Sequence, residues 1–159
     1  MALTTVGTFH MTAASLSLAA GAVQLLRPRG DTFHRRSGYV YVTAMAVNNV
    51  TALAIYRFTG GFNVFHALAT YSLISVALAL RPMLITPKPL NWYRMHYMWM
   101  SWSYVGLSAA AATEFLVRVM YVPGWLGAVA GSLPVGFIGG WLVMRNAPPM
   151  KRAVEAHGV

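Results

Sequence analysis

The chain of 159 residues is 57% hydrophobic and only 9% charged, against about 25% charged in ordinary soluble domains; this excludes a water-soluble globule, and the hydrophobicity excludes a disordered chain. With no cysteine, a disulfide framework, a thiolate nucleophile, an iron–sulfur cluster and cysteine-ligated zinc are excluded as well. Lys+Arg number 12 against 3 Asp+Glu, a formal net charge of +9, and the placement of these charges argues for membrane topology and against nucleic-acid binding.

Five apolar stretches reach the length of about 20 residues that a bilayer crossing takes. They fall at roughly 4–26, 35–57, 63–81, 92–119 and 124–144. The first carries no formal charge. It lacks a basic leader and a small-residue cleavage site, so it reads as a retained span and not as a signal peptide. Arg27, Arg29, Arg35 and Arg36 lie between spans one and two. Arg81, Lys88 and Arg94 follow span three, and Arg145, Lys151 and Arg152 follow span five. The opposite side holds only Arg57 and Arg118. Basic residues thus alternate by side, which places the N-terminus outside and the C-terminus in the cytoplasm. Thr59-Gly60-Gly61, then Pro82, Pro87 and Pro89, then Pro123-Gly124 mark the turns. The expectation is an all-α, polytopic protein of five transmembrane helices, a four-helix core plus a peripheral fifth helix. Residues 1–147 form one transmembrane domain and 148–159 a short polar cytoplasmic tail.

Span five has no ionisable residue between Pro123 and Met144. It carries Gly127-x-x-x-Gly131 and Gly136-x-x-x-Gly140. Small residues at that spacing let helices approach closely. They serve either packing within the chain or an oligomer or complex interface.

His157 lies in the tail, and the other four histidines form a pattern. His10 and His66 fall near the outer ends of spans one and three. His34 and His96 fall near the inner ends of spans two and four. Ionisable residues in a span usually face a bundle interior or a site. Neutral imidazole is a ligand for haem iron, zinc or copper. If spans one and three, and two and four, sit diagonally in a four-helix bundle, the four histidines form one pair in each leaflet. The two pairs then stand roughly 20 Å apart along the membrane normal. On span one His10, Ser17, Gly21 and Gln24 cluster near one face, and on span two His34, Tyr41 and Asn48 recur every seven residues. Each histidine also has a plain structural reading, in which it binds a backbone carbonyl, water or a lipid phosphate.

A second grouping uses Glu114, the one acidic residue within a span. It shares a helix face with His96 and falls at the outer end of span four, where it can meet His10 and His66. Two imidazoles and a carboxylate with an open position suit zinc, and also iron or copper. Arg118, one turn on, competes as an ion-pair partner or stands behind the site orienting the carboxylate. Trp99 and Trp102 lie deep enough to stack on a quinone or porphyrin; Trp92 and Tyr93 read as interfacial anchors. Phosphate loops, GxSxG and HExxH are absent.

The histidine layout is similar to that of two-haem b-type membrane cytochromes, including the b561 class, whose four-helix cores carry histidine pairs from alternating helices. That resemblance implies haem b, with Arg35 and Arg36 near the inner propionates and Arg57 or Arg118 near the outer ones. A more local resemblance rests on Arg27-Pro28-Arg29-Gly30, His34-Arg35-Arg36-x-Gly38 and Gly60-Gly61-Phe62-x-x-Phe65-His66. It continues through Arg94-x-His96, Tyr104-x-Gly106-Leu107 and Glu114-x-x-x-Arg118. Over roughly residues 8–120 the chain resembles a family of small bacterial predicted membrane proteins, a domain of unknown function. This implies a multi-pass protein of the bacterial inner membrane and gives weight to His10, His34, His66, His96, Glu114 and Arg118 as a set. Three readings stand. One is a small electron-transfer protein holding haem b, with a quinone or redox partner. Another is a membrane metalloprotein, and an enzyme under one form of it. The third is an accessory subunit of a larger membrane complex.

Overall fold

The computed structural model describes residues 4–55, 60–62 and 64–150. Arg57 and the tail residues Lys151, Arg152, Glu155 and His157 lie outside the described residues. The regular elements among the described residues are five α-helices: α1 Thr5–Leu26, α2 Thr32–Leu53, α3 Val64–Leu84, α4 Trp92–Arg118 and α5 Gly124–Arg145.

Local chemistry sets the ends. The Thr4 hydroxyl accepts the Gly7 N–H at 3.2 Å and caps α1. Asp31 caps α2 by accepting the His34 N–H at 2.6 Å. That cap starts α2 three residues ahead of the expected boundary, so Arg35 and Arg36 belong to its first turns. Gly30 makes the preceding turn at φ +95°, a conformation that suits a residue without Cβ. α3 runs past Arg81, where Pro82 was expected to end it, and takes the proline into its last turn. Pro82 has no N–H for the Leu78 carbonyl and crowds it, which loosens the ladder just there.

The chain divides into two compact units, Met1–Ile74 and Ser75–Val159, with the division inside α3. In the first, α1 and α2 pack as an antiparallel pair. The two seven-residue rows found in the sequence are the two sides of this seam. His10 meets Asn48 and Thr51, and Gln24 meets the His34 carbonyl and the Ser37 hydroxyl. Between them Ser17, Gly21, Tyr41 and Met45 are buried. Asn49 carries the hydrogen bonding on to α3 by donating to the Ser72 hydroxyl at 2.9 Å.

In the second unit α4 and α5 pack as a second antiparallel pair, by different means. A Cβ placed on Gly131 would stand 2.6 Å from the Thr113 backbone nitrogen. One on Gly127 would stand 2.5 Å from Val117, one on Gly139 2.7 Å from Val105, and one on Gly140 2.8 Å from the Trp102 ring. Close approach is therefore what these glycines provide. Tyr97, Val105 and Val143 close the seam, and the Tyr97 hydroxyl donates to the Val143 carbonyl at 3.2 Å. Gly127-x-x-x-Gly131 is thus occupied within the chain, whereas Gly136 has open space where its side chain would be. Trp102, a candidate for stacking on a cofactor, packs over Gly140.

Among the described residues three helical segments are long and apolar enough to cross a membrane: Thr5–Leu26, Phe65–Leu84 and Gly124–Arg145. The surface agrees: Phe9, Leu16, Leu68, Ile74, Leu133, Phe137 and Ile138 are exposed along them. Such an apolar surface suits lipid and not water.

Overpacking the α4/α5 seam has a defined expected cost. Gly131→Leu should destabilise the protein by about 1–3 kcal/mol, because its nearest neighbour is backbone that cannot rotate aside. Gly136→Leu should change stability by no more than about 0.5 kcal/mol. Thermal unfolding of both variants in the same detergent checks the contrast.

Candidate functional site: the histidines of the helix bundle

His10 is half-buried on α1, one and a half turns from its start. Its Nδ1 lies 3.1 Å from the Asn48 carbonyl oxygen and 3.2 Å from the Thr51 hydroxyl. A carbonyl only accepts, and the Thr51 hydroxyl lies 2.7 Å from the Val47 carbonyl, to which it donates. Nδ1 therefore carries the proton. The neutral ring then presents a bare lone pair at Nε2.

His96 repeats the arrangement in the second unit. Its Nδ1 lies 2.9 Å from the Ala79 carbonyl oxygen on α3, so here too the proton sits on Nδ1 and the lone pair on Nε2. Ala79 is wholly buried and follows Leu78, whose carbonyl Pro82 leaves without its helical donor. The proline in α3 and the histidine on α4 thus act at one point of the ladder.

His66 is 1% exposed, deep enough to rule out a solvated role. The Phe62 ring lies 5.3 Å from it. His10 contacts Asn48 and Thr51 on α2, and Asn49 beside them donates to Ser72 on α3. His66 stands six residues before Ser72, about 9 Å along α3.

His34 lies in the first turn of α2. Its N–H is the one capped by Asp31 and its carbonyl accepts from Gln24 at 2.8 Å. Arg35 and Arg36 beside it are exposed. Glu114 forms an ion pair with Arg118, one turn further along α4, as the sequence spacing allowed. Among the described residues no three His, Asp or Glu side chains gather into a metal-binding group. A haem iron needs only two histidines from the protein.

The anchoring residues were harder to foresee than the histidines. Thr51 and Asn49 carry a signal in retrospect, since a polar residue deep in an apolar helix is costly unless paired. The carbonyls of Asn48 and Ala79 carry none, because every residue has one.

The family described as "Predicted membrane protein (DUF2306)" matches residues 7–148. The chain belongs to this family and is an integral membrane protein, as the sequence resemblance implied. No curated protein matches, and no solved structure matches.

Removing the His96 ring should leave a buried carbonyl without its donor. His96→Phe is expected to cost about 1–3 kcal/mol. Glu114→Gln, which breaks an ion pair between half-exposed groups, should cost less than about 1 kcal/mol. Unfolding of the two variants in one detergent tests whether the ring anchor outweighs the ion pair.

Proposed function

We propose that this member of the family crosses a bacterial inner membrane five times, N-terminus out and C-terminus in, and that its histidines hold haem b for electron transfer. One observation carries the cofactor reading: His10 and His96 each spend Nδ1–H on a backbone carbonyl of a neighbouring helix. Ligand histidines are characteristically oriented this way, the second nitrogen fixing tautomer and ring direction. His66, in the same compact unit as His10, is the second ligand of one site, and His96 is a ligand of the other.

The topology draws on length and burial. α2 has 22 residues and α4 has 27, enough for about 33 and 40 Å. Their composition is too polar to stand out as apolar spans, but the polar side chains are turned inward. Asn48 and Asn49 on α2, and Ser101, Ser103 and Thr113 on α4, are buried. Lipid is therefore spared these groups, as in a spanning helix. Three cations rest on aromatic rings: Arg27 on Phe33 at 4.3 Å, Lys88 on Trp92 at 4.3 Å and Arg145 on Trp141 at 5.1 Å. All three pairs fall on the side assigned to the cytoplasm, where basic residues and interfacial aromatics are favoured together.

The donor set fits the group. Nε2 of a neutral imidazole is a ligand for haem iron. Bound there, the haem supplies reversible one-electron exchange. The chain's own residues do the rest. The Asn48 and Ala79 carbonyls hold the protons on Nδ1, and the apolar helix faces keep water away. Arg35 and Arg36 offer cations near the inner end for the propionates. Binding of zinc, copper or iron at His10, His66 and Glu114 has weaker support, since Glu114 is already paired with Arg118.

Optical spectra of the purified protein, oxidised and dithionite-reduced, with elemental analysis of the same sample, decide between these. The expected result is a reduced α band from about two haems per chain, with one lost in His96→Leu and one in His10→Leu. A colourless protein with stoichiometric zinc or copper would favour the His10, His66 and Glu114 site. A colourless, metal-free protein that co-purifies with a partner would leave an accessory-subunit role. For topology, a green fluorescent protein fused after Met150 should fluoresce. Alkaline phosphatase fused in the α4–α5 turn should be active.

A further inference from the structure

The charged surface at the α1–α2 turn points to a bound ligand, and we infer that Arg27, Arg29, Arg35 and Arg36 form a binding site for the headgroup of an anionic phospholipid. α1 is apolar enough to cross a membrane up to Leu26, so the turn that follows lies at a bilayer surface. Four arginines fall within the ten residues from Arg27 to Arg36, and all four are exposed. The single carboxylate in that segment, Asp31, is committed to capping α2 through the His34 N–H.

Four basic residues elsewhere among the described residues have uses within the chain. Arg94 donates to the Pro148 carbonyl, Arg118 pairs with Glu114, and Lys88 and Arg145 lie on Trp92 and Trp141. At the α1–α2 turn Arg27 is seated over the Phe33 ring. That contact holds its guanidinium beside the start of α2, where Arg35 and Arg36 emerge. All four are arginine and none is lysine. The guanidinium fork binds phosphate oxygens bidentately, whereas an ammonium acts as a point charge. A phosphodiester headgroup, anionic and fixed at the depth of the turn by its acyl chains, matches this surface. The inference needs only α1 as a span; it shares Arg35 and Arg36 with the haem proposal, but its readout, the lipid concentration for half the effect, does not require haem.

The test uses the purified protein in a neutral detergent and measures thermal unfolding against added phosphatidylglycerol, phosphatidylcholine or inorganic phosphate. Phosphatidylglycerol is expected to raise the transition temperature saturably, while phosphatidylcholine and inorganic phosphate leave it unchanged. In R35Q/R36Q the concentration for half the effect should rise roughly 25-fold, about fivefold per arginine. R35K/R36K should recover part of that loss. Arg145→Gln, a basic residue outside the site, should behave as the parent. An unchanged response in R35Q/R36Q, an equal response to phosphatidylcholine, or an equal response to inorganic phosphate would each overturn the inference. If R35Q/R36Q fails to fold, R35K/R36K decides it, since an unchanged half-effect concentration there removes the case for a guanidinium site.

Discussion

Inside a bilayer a hydrogen-bonding group has no water to turn to, so every buried polar atom needs a partner in the protein. Most of what is distinctive in this chain follows from that constraint. Asn49 reaches Ser72, Gln24 reaches Ser37 and the His34 carbonyl, and Tyr97 reaches the Val143 carbonyl. Each contact ties one helix to another. His10 and His96 obey the same rule, and for them it also decides chemistry. A ring that must place Nδ1–H on a carbonyl has its tautomer chosen for it, and Nε2 is left as the basic nitrogen.

The two helix pairs meet the demand for close contact in separate ways. α1 and α2 are held by polar side chains at seven-residue spacing. α4 and α5 are held by glycines that bring one backbone against the other, with Tyr97, Val105 and Val143 filling one end. Lipid tails are as apolar as leucine, so burial of apolar surface does not by itself drive helices together in a membrane. Both solutions supply what hydrocarbon lacks: hydrogen bonds in one pair, backbone-deep van der Waals contact in the other.

The sequence carried the helices well because length and apolar runs are robust signals. The discrepancies have local causes. Asp31 caps α2 early, and Pro82 is absorbed into the last turn of α3 instead of ending it. The seven-residue rows His10–Ser17–Gln24 and His34–Tyr41–Asn48 marked one real interface, since residues at that spacing stay on one face whatever they pack against. The Gly127 and Gly131 pair was equally visible, but not its occupant. A small-residue face looks the same whether α4 or another chain covers it. The acceptors that orient His10 and His96 are main-chain oxygens, which no residue type announces.

The difference between the two seams also shapes how the protein responds to its solvent. A hydrogen-bonded seam is strong only while competing donors and acceptors stay out. Short-chain alcohols, or detergents whose micelles admit water, offer such competitors to Gln24 and the His10 ring. They offer nothing to a glycine pressed against the Thr113 backbone. The α1/α2 pair should therefore loosen in solvents that leave α4/α5 intact. The choice of detergent then decides whether His10 is still held in place when the protein is measured.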